Sequence, residues 1–359
     1  MEQKIEENPI QLDLEKESIE EFQKRFPVAK IIDTYKKQLE ELFFIRNPHF
    51  RFEKEYAKEL QEFLNDHFGN TPIQETGEWF YFSWNNLLVH YLSDALHQEI
   101  RTARNKNLIT KKEQEKFYNA CDGIGGLSVG SHAALTLVMM GGTKKLKLAD
   151  PDEISASNLN RIRSDFTNIG VKKYQVVAQQ IFQMNPYSQV SLYPAGITPQ
   201  NIREFFEGPQ KLDIIVDELD DLQMKVRLRL EAKRLGIPVV MATDNGDNVI
   251  VDIERYDLDK NVQIFNGAIG DMTLKNIQNF PPSEFPKLAA RIAGVDLIVP
   301  RMKESLLEVG KTLYSWPQLG DAATLSGIAV AYVVRKIATG ENIRSGKIDL
   351  NLDLFFKPA

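Results

Sequence analysis

A glycine-rich turn near residue 125 combines features that can hold a phosphate group. The segment G-I-G-G-L-S-V-G lies between a strand-like run at 117–121 and an apolar helical run at 133–140, and its glycines are Gly123, Gly125, Gly126 and Gly130. Glycine lets backbone N–H groups approach an anion closely, and the helix that follows directs the partial positive charge of its N-terminus at the same place. The glycines alone are equally compatible with an ordinary turn of an α/β fold.

Two acids follow the next predicted strand. Residues 146–149 have the pattern of a short buried strand that ends at Asp150, and Asp152 lies two positions later. An acid at the end of the second strand after a glycine loop is placed to bind the hydroxyl groups of a ribose. The alternative is that both acids lie in a solvated loop. Together with the glycines, they favour a nucleotide site.

Three polar residues farther along suit a triphosphate. The segment S-N-L-N-R at 157–161 supplies Asn158 and Arg161, and G-V-K-K at 170–173 supplies Lys173. Charge builds up on phosphate oxygens during transfer, and the planar fork of an arginine or the point charge of a lysine can neutralise it. A dehydrogenase needs neither Arg161 nor Lys173. Taken singly, Asn158 could cap a helix and Arg161 could be a surface residue.

A second group of acids ends another predicted strand. The β-branched run L-D-I-I-V at 212–216 is typical of a central parallel strand, and D-E-L-D-D follows it at 217–221. Acids at the C-terminal end of such a strand face the crevice where α/β sheets bind ligands. Asp217 and Asp220 could place one carboxylate near a Mg²⁺ ion on the phosphates. The alternative is a helix N-cap with acids in the first turn.

The order of these motifs resembles that of the ThiF/MoeB-type adenylyltransferases, which are relatives of the ubiquitin-activating enzymes. The resemblance covers at least residues 101–245 and extends to the C-terminus, where the segment at 317–340, which begins P-Q-L-G-D, is similar to a late helix of the family. The segments W-F-Y-F-S-W and R-T-A-R-N-K-N-L-I-T are similar to a bacterial subgroup. The family implies a Rossmann-like, mainly parallel sheet with helices on both faces. It also implies an enzyme that uses Mg·ATP to activate a carboxylate, such as a peptide or protein C-terminus, as an acyl-adenylate with release of pyrophosphate.

The resemblance also implies roles for individual residues. ATP would be held by the glycine loop and the acids after the second strand, namely Gly123, Gly125, Gly126, Ser128, Asp150 and Asp152. The residues expected to act on the phosphates are Asn158, Arg161 and Lys173. Asp220 would hold Mg²⁺ as a catalytic metal ligand. Arg104 would match an arginine that enters the nucleotide site of the neighbouring subunit, so a homodimer is expected.

The chain departs from the family pattern at several positions. Ser128 stands where the last loop glycine is usual, Ile162 replaces a glutamine, and Asp221 replaces an asparagine. The single cysteine, Cys121, is expected to be a small buried residue. One cysteine cannot build the paired C-x-x-C motifs that bind structural zinc, and none is placed for thioester transfer. The expected cofactors are therefore ATP and Mg²⁺, without structural zinc.

Composition favours a cytoplasmic enzyme. The 359 residues are 43% hydrophobic and 26% charged, with a net charge of −6, which argues against a general nucleic-acid binder. The acidic N-terminus does not resemble a signal peptide, and no apolar run is expected to span a membrane. Two other interpretations stay open: an NAD(P)-binding oxidoreductase and a non-catalytic partner subunit of a ubiquitin-activating-like complex.

The chain is predicted to contain two domains. Residues 1–95 would form a mainly helical domain, and residues 96–359 a ThiF-like adenylation domain. In the first domain, apolar residues from Ile31 to Phe43 and from Tyr56 to Leu64 each fall on one helical face, and residues 87–100 would form a third helix. The aromatic run at 79–84 predicts a strand. Residues 270–316 predict loops with short helices.

Overall fold

The computed structural model describes residues 8–356, with the side chain of Pro282 excepted. Residues 1–7, on which the expectation about a signal peptide depends, lie outside this range. The chain divides into two compact units. The first is Met1–Lys111 with Phe182–Tyr187, and the second is Lys112–Ile181 with Ser188–Ala359.

Between residues 8 and 110, the first unit combines four α-helices with a small sheet. Its elements are β1 (Ile10–Leu12), α1 (Ile19–Arg25), β2 (Lys30–Ile32), α2 (Tyr35–Arg46), α3 (Ala57–Phe68), β3 (Glu78–Phe82), β4 (Leu87–Tyr91) and α4 (Asp94–Thr102). The strand order is β1-β3-β4-β2, in which only β2 and β4 pair in parallel. This unit extends past the predicted boundary at residue 95 because Leu96 and Ile100 of α4 pack with Leu39 and Leu42 of α2.

Two predictions for the first unit are wrong in detail. Residues 87–100 are a strand followed by a helix, because Leu87–Tyr91 pairs with the aromatic strand β3 across a turn in which Asn86 has a φ of 56°. Ile31 and Ile32 belong to β2 and not to the face of α2. In both cases pairing with a strand distant in sequence decides between two patterns that are locally similar. The predicted strand at 79–84 and the helix near 56–64 are confirmed.

The second unit is built on a seven-stranded sheet. Its elements are α5 (Lys111–Asn119), β5 (Cys121–Gly125), α6 (Val129–Met139), β6 (Lys145–Ala149), α7 (Lys173–Met184), β7 (Gln189–Tyr193), α8 (Ile202–Glu207), β8 (Ile214–Asp217), α9 (Leu222–Leu235), β9 (Val239–Asn245), β10 (Asn248–Glu254), α10 (Leu274–Gln278), α11 (Phe285–Ala293), α12 (Pro300–Leu306), α13 (Gly320–Thr339) and β11 (Gly346–Leu350).

The strand order of this sheet is β11-β10-β9-β8-β5-β6-β7. The strands from β9 to β7 pair in parallel, whereas β10 and β11 are antiparallel. The chain runs outward from β5 to β7 on one side and from β8 to β9 on the other. The order in which the chain adds strands therefore reverses between β5 and β8, and folds of this class bind ligands at such a point. The predicted Rossmann-like, mainly parallel sheet is confirmed.

The first strand of this sheet begins later than predicted. Residues 117–119 are the last turn of α5, and the strand starts at Cys121, whose N–H donates to the Asp213 carboxylate at 2.8 Å. Phe117 stays buried under Gly142, where a Cβ would overlap its ring. The glycines Gly123 and Gly125 therefore lie within the strand, and the turn itself begins at Gly126.

The long helix α13 packs against α6 and against β9. By length and composition alone, this helix could cross a membrane. The sequence had predicted no apolar run long enough to do so. A little over half of its most apolar window, 56%, is buried inside the fold. A core helix passes the same test, and the packing of α13 on α6 and β9 accounts for its apolar character.

Candidate functional site

The glycine turn joins β5 to α6 at the carboxyl edge of the sheet. Gly126 has a φ of +85°, and a Cβ at this position would overlap the carbonyl group of Glu218. Its N–H donates to the Ala149 carbonyl at 2.9 Å, and the Gly125 carbonyl accepts from the Glu218 N–H at 2.8 Å. Only glycine satisfies this backbone conformation without strain. The turn is thus fixed to both neighbouring strands, at the N-terminal end of α6.

Asp150 connects the glycine turn to the end of β6. The residue is 4% exposed, and its two carboxylate oxygens accept from the N–H groups of Leu127 at 2.7 Å and Asp152 at 2.8 Å. Burial raises the pKa of the Asp150 carboxyl above its ordinary value, and the charge of Lys173 opposes that rise. Asp150 therefore holds the turn in place. The hydroxyl groups of a ribose would have to donate to the lone pairs of the Asp150 carboxylate that these two N–H groups leave free.

Lys173 is paired with the same acids. It is the first residue of α7, is buried, and places its Nζ 2.9 Å from Asp152 Oδ2 and 3.7 Å from Asp150 Oδ2. The loop acid Asp152 is largely exposed. The predicted ribose acid and the predicted phosphate lysine are thus brought together, and their charges compensate one another.

Arg161 reaches the glycine turn from the loop that follows β6. Its Nε donates to Ser128 Oγ at 3.3 Å, and its Nη1 donates to Asn160 Oδ1 at 2.9 Å and to the Ser157 carbonyl at 3.2 Å. Burial lowers the pKa of the guanidinium, while the charges of Asp244 and Asp220 raise it. The structure therefore places the predicted phosphate arginine beside the turn, in contact with the serine that departs from the family pattern.

Asn158 stabilises the loop that carries Arg161. It is buried, and its Oδ1 accepts from the Ser155 N–H at 3.0 Å in a reciprocal capping arrangement. Its backbone carbonyl accepts from the Arg161 N–H at 3.0 Å. These contacts match the capping role that the sequence left open. A contact of Asn158 with phosphate stays a prediction.

The acids after β8 have three different environments. Asp217 is fully buried; burial alone would raise its pKa, but the charges of Lys225 and Arg229 hold the pKa below its usual range. Asp221 caps α9 by accepting from the Gln223 N–H at 2.8 Å. Asp220 between them is exposed, and its charge acts on Arg161. The structure thus separates the two acids that the sequence grouped.

Within residues 8–356 no three His, Cys, Asp or Glu side chains form a cluster that could hold a metal ion. Mg²⁺ is usually held by one or two carboxylates together with substrate phosphates and water. The exposed carboxylate of Asp220, close enough to act on the arginine of the glycine turn, fits that kind of shared site. It does not fit a site built from protein ligands alone.

Sequence reasoning missed Asp244 at the end of β9. This acid is 5% exposed, and its oxygens accept from Ser326 Oγ at 2.7 Å and from Gln318 Nε2 at 3.1 Å. Burial raises its pKa. The Gln318 carbonyl in turn accepts from Asn160 Nδ2 at 2.8 Å. Asp244 ends an apolar strand as Asp217 does, so the same pattern could have identified it.

Two other sequence candidates take no part in the contacts described above. Cys121 is buried as predicted, and burial raises the pKa of its thiol to about 11, so the thiol is not ionised at neutral pH. Arg104 is exposed in a short helical turn at Ala103–Asn105 and belongs to the first unit. Its predicted role in a neighbouring subunit stays a prediction.

Comparison with known proteins identifies the family of the domain that carries this site. Residues 102–249 match the ThiF family, so the chain carries a ThiF family domain, as the motif order predicts. An uncharacterized protein of Mycobacterium tuberculosis (strain CDC 1551 / Oshkosh) is 34% identical over 280 residues, which are 78% of this chain and 38% of that protein. The tRNA threonylcarbamoyladenosine dehydratase of Escherichia coli (strain K12) is 32% identical over 178 residues, which are 48% of this chain and 63% of that enzyme.

The fold has a counterpart among solved structures. The crystal structure of PaaA superimposes with a TM-score of 0.51 at 20% identity, over 72% of this chain and 77% of that one. At this level of identity the likeness supports the fold alone. The chain spans less than two thirds of the length of each of the two relatives named above.

Proposed function

We propose that this protein is a Mg·ATP-dependent adenylyltransferase. A carboxylate oxygen of the acyl substrate attacks the α-phosphorus of ATP, the bond between the α-phosphorus and the bridging oxygen breaks, and pyrophosphate leaves with that electron pair. The observation that carries the proposal is the position of Arg161, a half-buried guanidinium held beside the glycine turn of a ThiF domain. A fixed cation beside backbone N–H groups is suited to the charge that develops on phosphate oxygens.

Each side chain would have a defined task. The glycine turn and the N-terminus of α6 would bind a phosphate group, with Ser128 at the entrance of the helix. Arg161 would exchange its contacts with Asn160 and the Ser157 carbonyl for phosphate oxygens, and Asp150 would accept from the ribose. Lys173, compensated by Asp150 and Asp152, would contact the phosphates as part of that ion group. Bound Mg²⁺, with Asp220 as its protein ligand, would neutralise charge on the departing pyrophosphate.

The acyl substrate is proposed to be a peptide or protein C-terminus. The family resemblance supports this class, and the named dehydratase relative supports a tRNA-linked carboxylate as the second candidate. An oxidoreductase is disfavoured, since a dinucleotide does not need the guanidinium at the glycine turn. We place the enzyme in the cytoplasm on composition alone.

Calorimetric titration tests the nucleotide. We expect ATP with Mg²⁺ to bind and NAD⁺ not to bind. Arg161→Ala should weaken ATP binding by about tenfold to a hundredfold, the effect of losing charge-assisted hydrogen bonds. Arg163→Ala is a matched control, because Arg163 carries the same charge two residues later and is exposed. Tight NAD⁺ binding in the absence of ATP binding would refute the proposal.

The metal ligand and the substrate are tested by ATP–pyrophosphate exchange. Peptides with free C-termini and unmodified or modified tRNA are tried as the carboxylate that supports exchange in the wild-type protein. Asp220→Ala should then abolish exchange without a change in the melting temperature. Asp221→Ala should keep exchange but lose about 1 kcal/mol of stability, because Asp221 caps α9. Exchange at the wild-type rate in Asp220→Ala would show that this acid is not a metal ligand.

We also propose a homodimer in which Arg104 serves the partner's site. The exposure of Arg104 permits such a contact, and the family resemblance supports it. Mixing Arg104→Ala with Asp220→Ala, each inactive alone, would give heterodimers with one intact site and should restore about a quarter to a half of the exchange activity. If subunits exchange and no activity returns, Arg104 does not act across a dimer.

A further inference from the structure

One buried histidine contacts the loop that carries Arg161. His132 lies in the first turns of α6, is 2% exposed, and has its Nε2 within hydrogen-bond distance of the Arg161 carbonyl oxygen. A carbonyl oxygen only accepts, so Nε2 must carry the proton. Within the described part of the chain, Nδ1 has no hydrogen-bond partner. The ring therefore donates through one nitrogen, and among residues 8–356 its hydrogen-bond partner is the backbone of the arginine proposed to bind phosphate.

The position of His132 is itself tightly constrained. A Cβ on Gly327 of α13 would overlap the Cβ and the backbone of His132, so the two helices meet here at backbone contact. Burial lowers the pKa of the imidazole, the hydrogen bond to the Arg161 carbonyl opposes that shift, and the positive charge of Arg163 adds to it. The ring is thus fixed by the core of the second unit.

The histidine adds a contact from outside the loop of Arg161. Within that loop the Arg161 N–H donates to the Asn158 carbonyl at 3.0 Å, and Nη1 donates to Asn160 Oδ1 and to the Ser157 carbonyl. From the glycine turn, Ser128 Oγ accepts from Nε at 3.3 Å. His132 lies on the helix whose N-terminus closes the glycine turn, and it holds the Arg161 carbonyl from there. The same helix therefore carries both the proposed phosphate-binding turn and the contact that fixes the arginine relative to it.

We propose that His132 is a positioning residue that fixes Arg161 so that its guanidinium meets the phosphates of the bound nucleotide. This role rests on the proposed ATP site. His132 touches neither substrate nor metal in this role. Its contribution would appear in the affinity for phosphate groups and not in the affinity for the nucleoside.

Two substitutions separate positioning from packing. His132→Leu keeps much of the buried volume and removes the donor, whereas His132→Gln keeps an N–H at the reach of Nε2. Thr136→Val is a control, since Thr136 is buried one turn farther along the same helix and its hydroxyl has no hydrogen-bond partner within residues 8–356. Dissociation constants for ATP and for adenosine, which lacks phosphates, are measured by calorimetry, and the melting temperature is recorded for each variant.

The expected result is a selective loss. His132→Leu should weaken ATP binding by about tenfold, the effect of one hydrogen bond, and leave adenosine binding unchanged. His132→Gln should recover most of that loss, and Thr136→Val should bind ATP as the wild type does. The double variant that carries both His132→Leu and Arg161→Ala should bind ATP about as weakly as Arg161→Ala alone, because both changes remove the same phosphate contact.

Other outcomes overturn the proposal in distinguishable ways. Equal losses for ATP and adenosine, no rescue by His132→Gln, or additive losses with Arg161→Ala would show that His132 only packs. If the wild type binds no ATP, the proposed function itself fails and this role fails with it. Should His132→Leu not fold, the ¹⁵N shifts of the wild-type imidazole give the answer. They should report a proton on Nε2 that responds to ATP and not to adenosine, and an unresponsive ring would refute the role.

Discussion

Replacing Arg229 by methionine should destabilise the second unit in a pH-dependent way. Arg229 is fully buried in α9, and its Nε donates to Glu254 Oε2 at 2.7 Å while its Nη1 contacts the Asp217 carboxylate. The guanidinium also lies 3.7 Å from the centre of the Phe265 ring. Methionine has a similar length but no charge. The substitution would leave two buried carboxylates without their shared cation.

The size of the effect follows from the partners that remain. Removing one member of a buried ion pair costs about 3–5 kcal/mol, because the other charge stays buried. Asp217 would still be paired with Lys225, whose Nζ is 3.3 Å from its carboxylate, so the loss of the Arg229 charge is partly compensated at Asp217. Glu254 would keep only neutral donors, the Tyr256 hydroxyl and the Phe265 N–H at 2.7 Å. We therefore expect Arg229→Met to lower the free energy of unfolding by about 3 kcal/mol at pH 7, near the lower end of that range.

The sign of the pH dependence comes from Glu254. Burial raises the pKa of Glu254, and the charge of Arg229 opposes that rise, so Arg229→Met should raise the pKa further. A carboxyl whose pKa is raised by folding favours the folded state in acid and loses that contribution as the pH rises through the folded pKa. The deficit of the variant relative to the wild type should therefore grow between pH 5 and pH 8.

Denaturant unfolding at several pH values measures this deficit, and hydrogen exchange in β8 and β10 assigns it to the second unit. Arg227→Met is the matched control, since Arg227 lies on the same helix and is half-buried outside this pair. Glu254→Gln in the Arg229→Met background should restore part of the stability and remove its pH dependence. A deficit below about 1 kcal/mol, or one of the same size at pH 5 and pH 8, would refute the reasoning.

Three other predictions follow from single positions. Gly126→Ala should abolish ATP binding and should destabilise the protein more than Gly170→Ala does. Both glycines have a positive φ, but only a Cβ at Gly126 would overlap backbone atoms. Calorimetry compares the ATP affinities of the two variants, and melting curves compare their stabilities. Cys121→Ser should keep ATP binding, and the native thiol should resist alkylation at pH 8 because its pKa is about 11. Burial raises the pKa of Asp122 to about 7, so Asp122→Asn should stabilise the protein at pH 8 and not at pH 4, as urea unfolding would show.

The sheet and its polar edge could be predicted because their signals are local. Apolar runs next to Asp150 and Asp217 predicted β6 and β8, and the observed strands end at Ala149 and Asp217, each within one residue of the predicted end. The carboxyl ends of parallel strands meet at one edge, so residues at three strand ends were expected to lie together. Residues 270–316 also contain the short helices that were predicted.

Other features depend on contacts that no local pattern records. The Asp244 carboxylate meets Ser326, which is 82 positions away in sequence, and Asn160 meets Gln318, 158 positions away. Asp217 differs from the exposed Asp220 because it is buried against Arg229, which lies one helix later in the chain. A sequence pattern can place an acid at a strand end. It cannot say whether a cation of another element will neutralise that acid, because this depends on tertiary packing.

The two cations near the glycine turn, Lys173 and Arg161, have different partners, and these partners determine how readily each cation can bind a phosphate group. Lys173 lies in ion-pair distance of Asp150 and Asp152, so a phosphate group must compete with two carboxylates for it. Arg161 donates instead to neutral oxygens, those of Ser128, Asn160 and the Ser157 carbonyl, which a phosphate can replace at lower cost. The acids Asp220 and Asp244 act on Arg161 from a greater distance and reduce the attraction of the site for a free anion. In the proposed function, a polyphosphate that enters together with a divalent cation would relieve that repulsion, so we expect metal-bound ATP to bind more tightly than bare ATP.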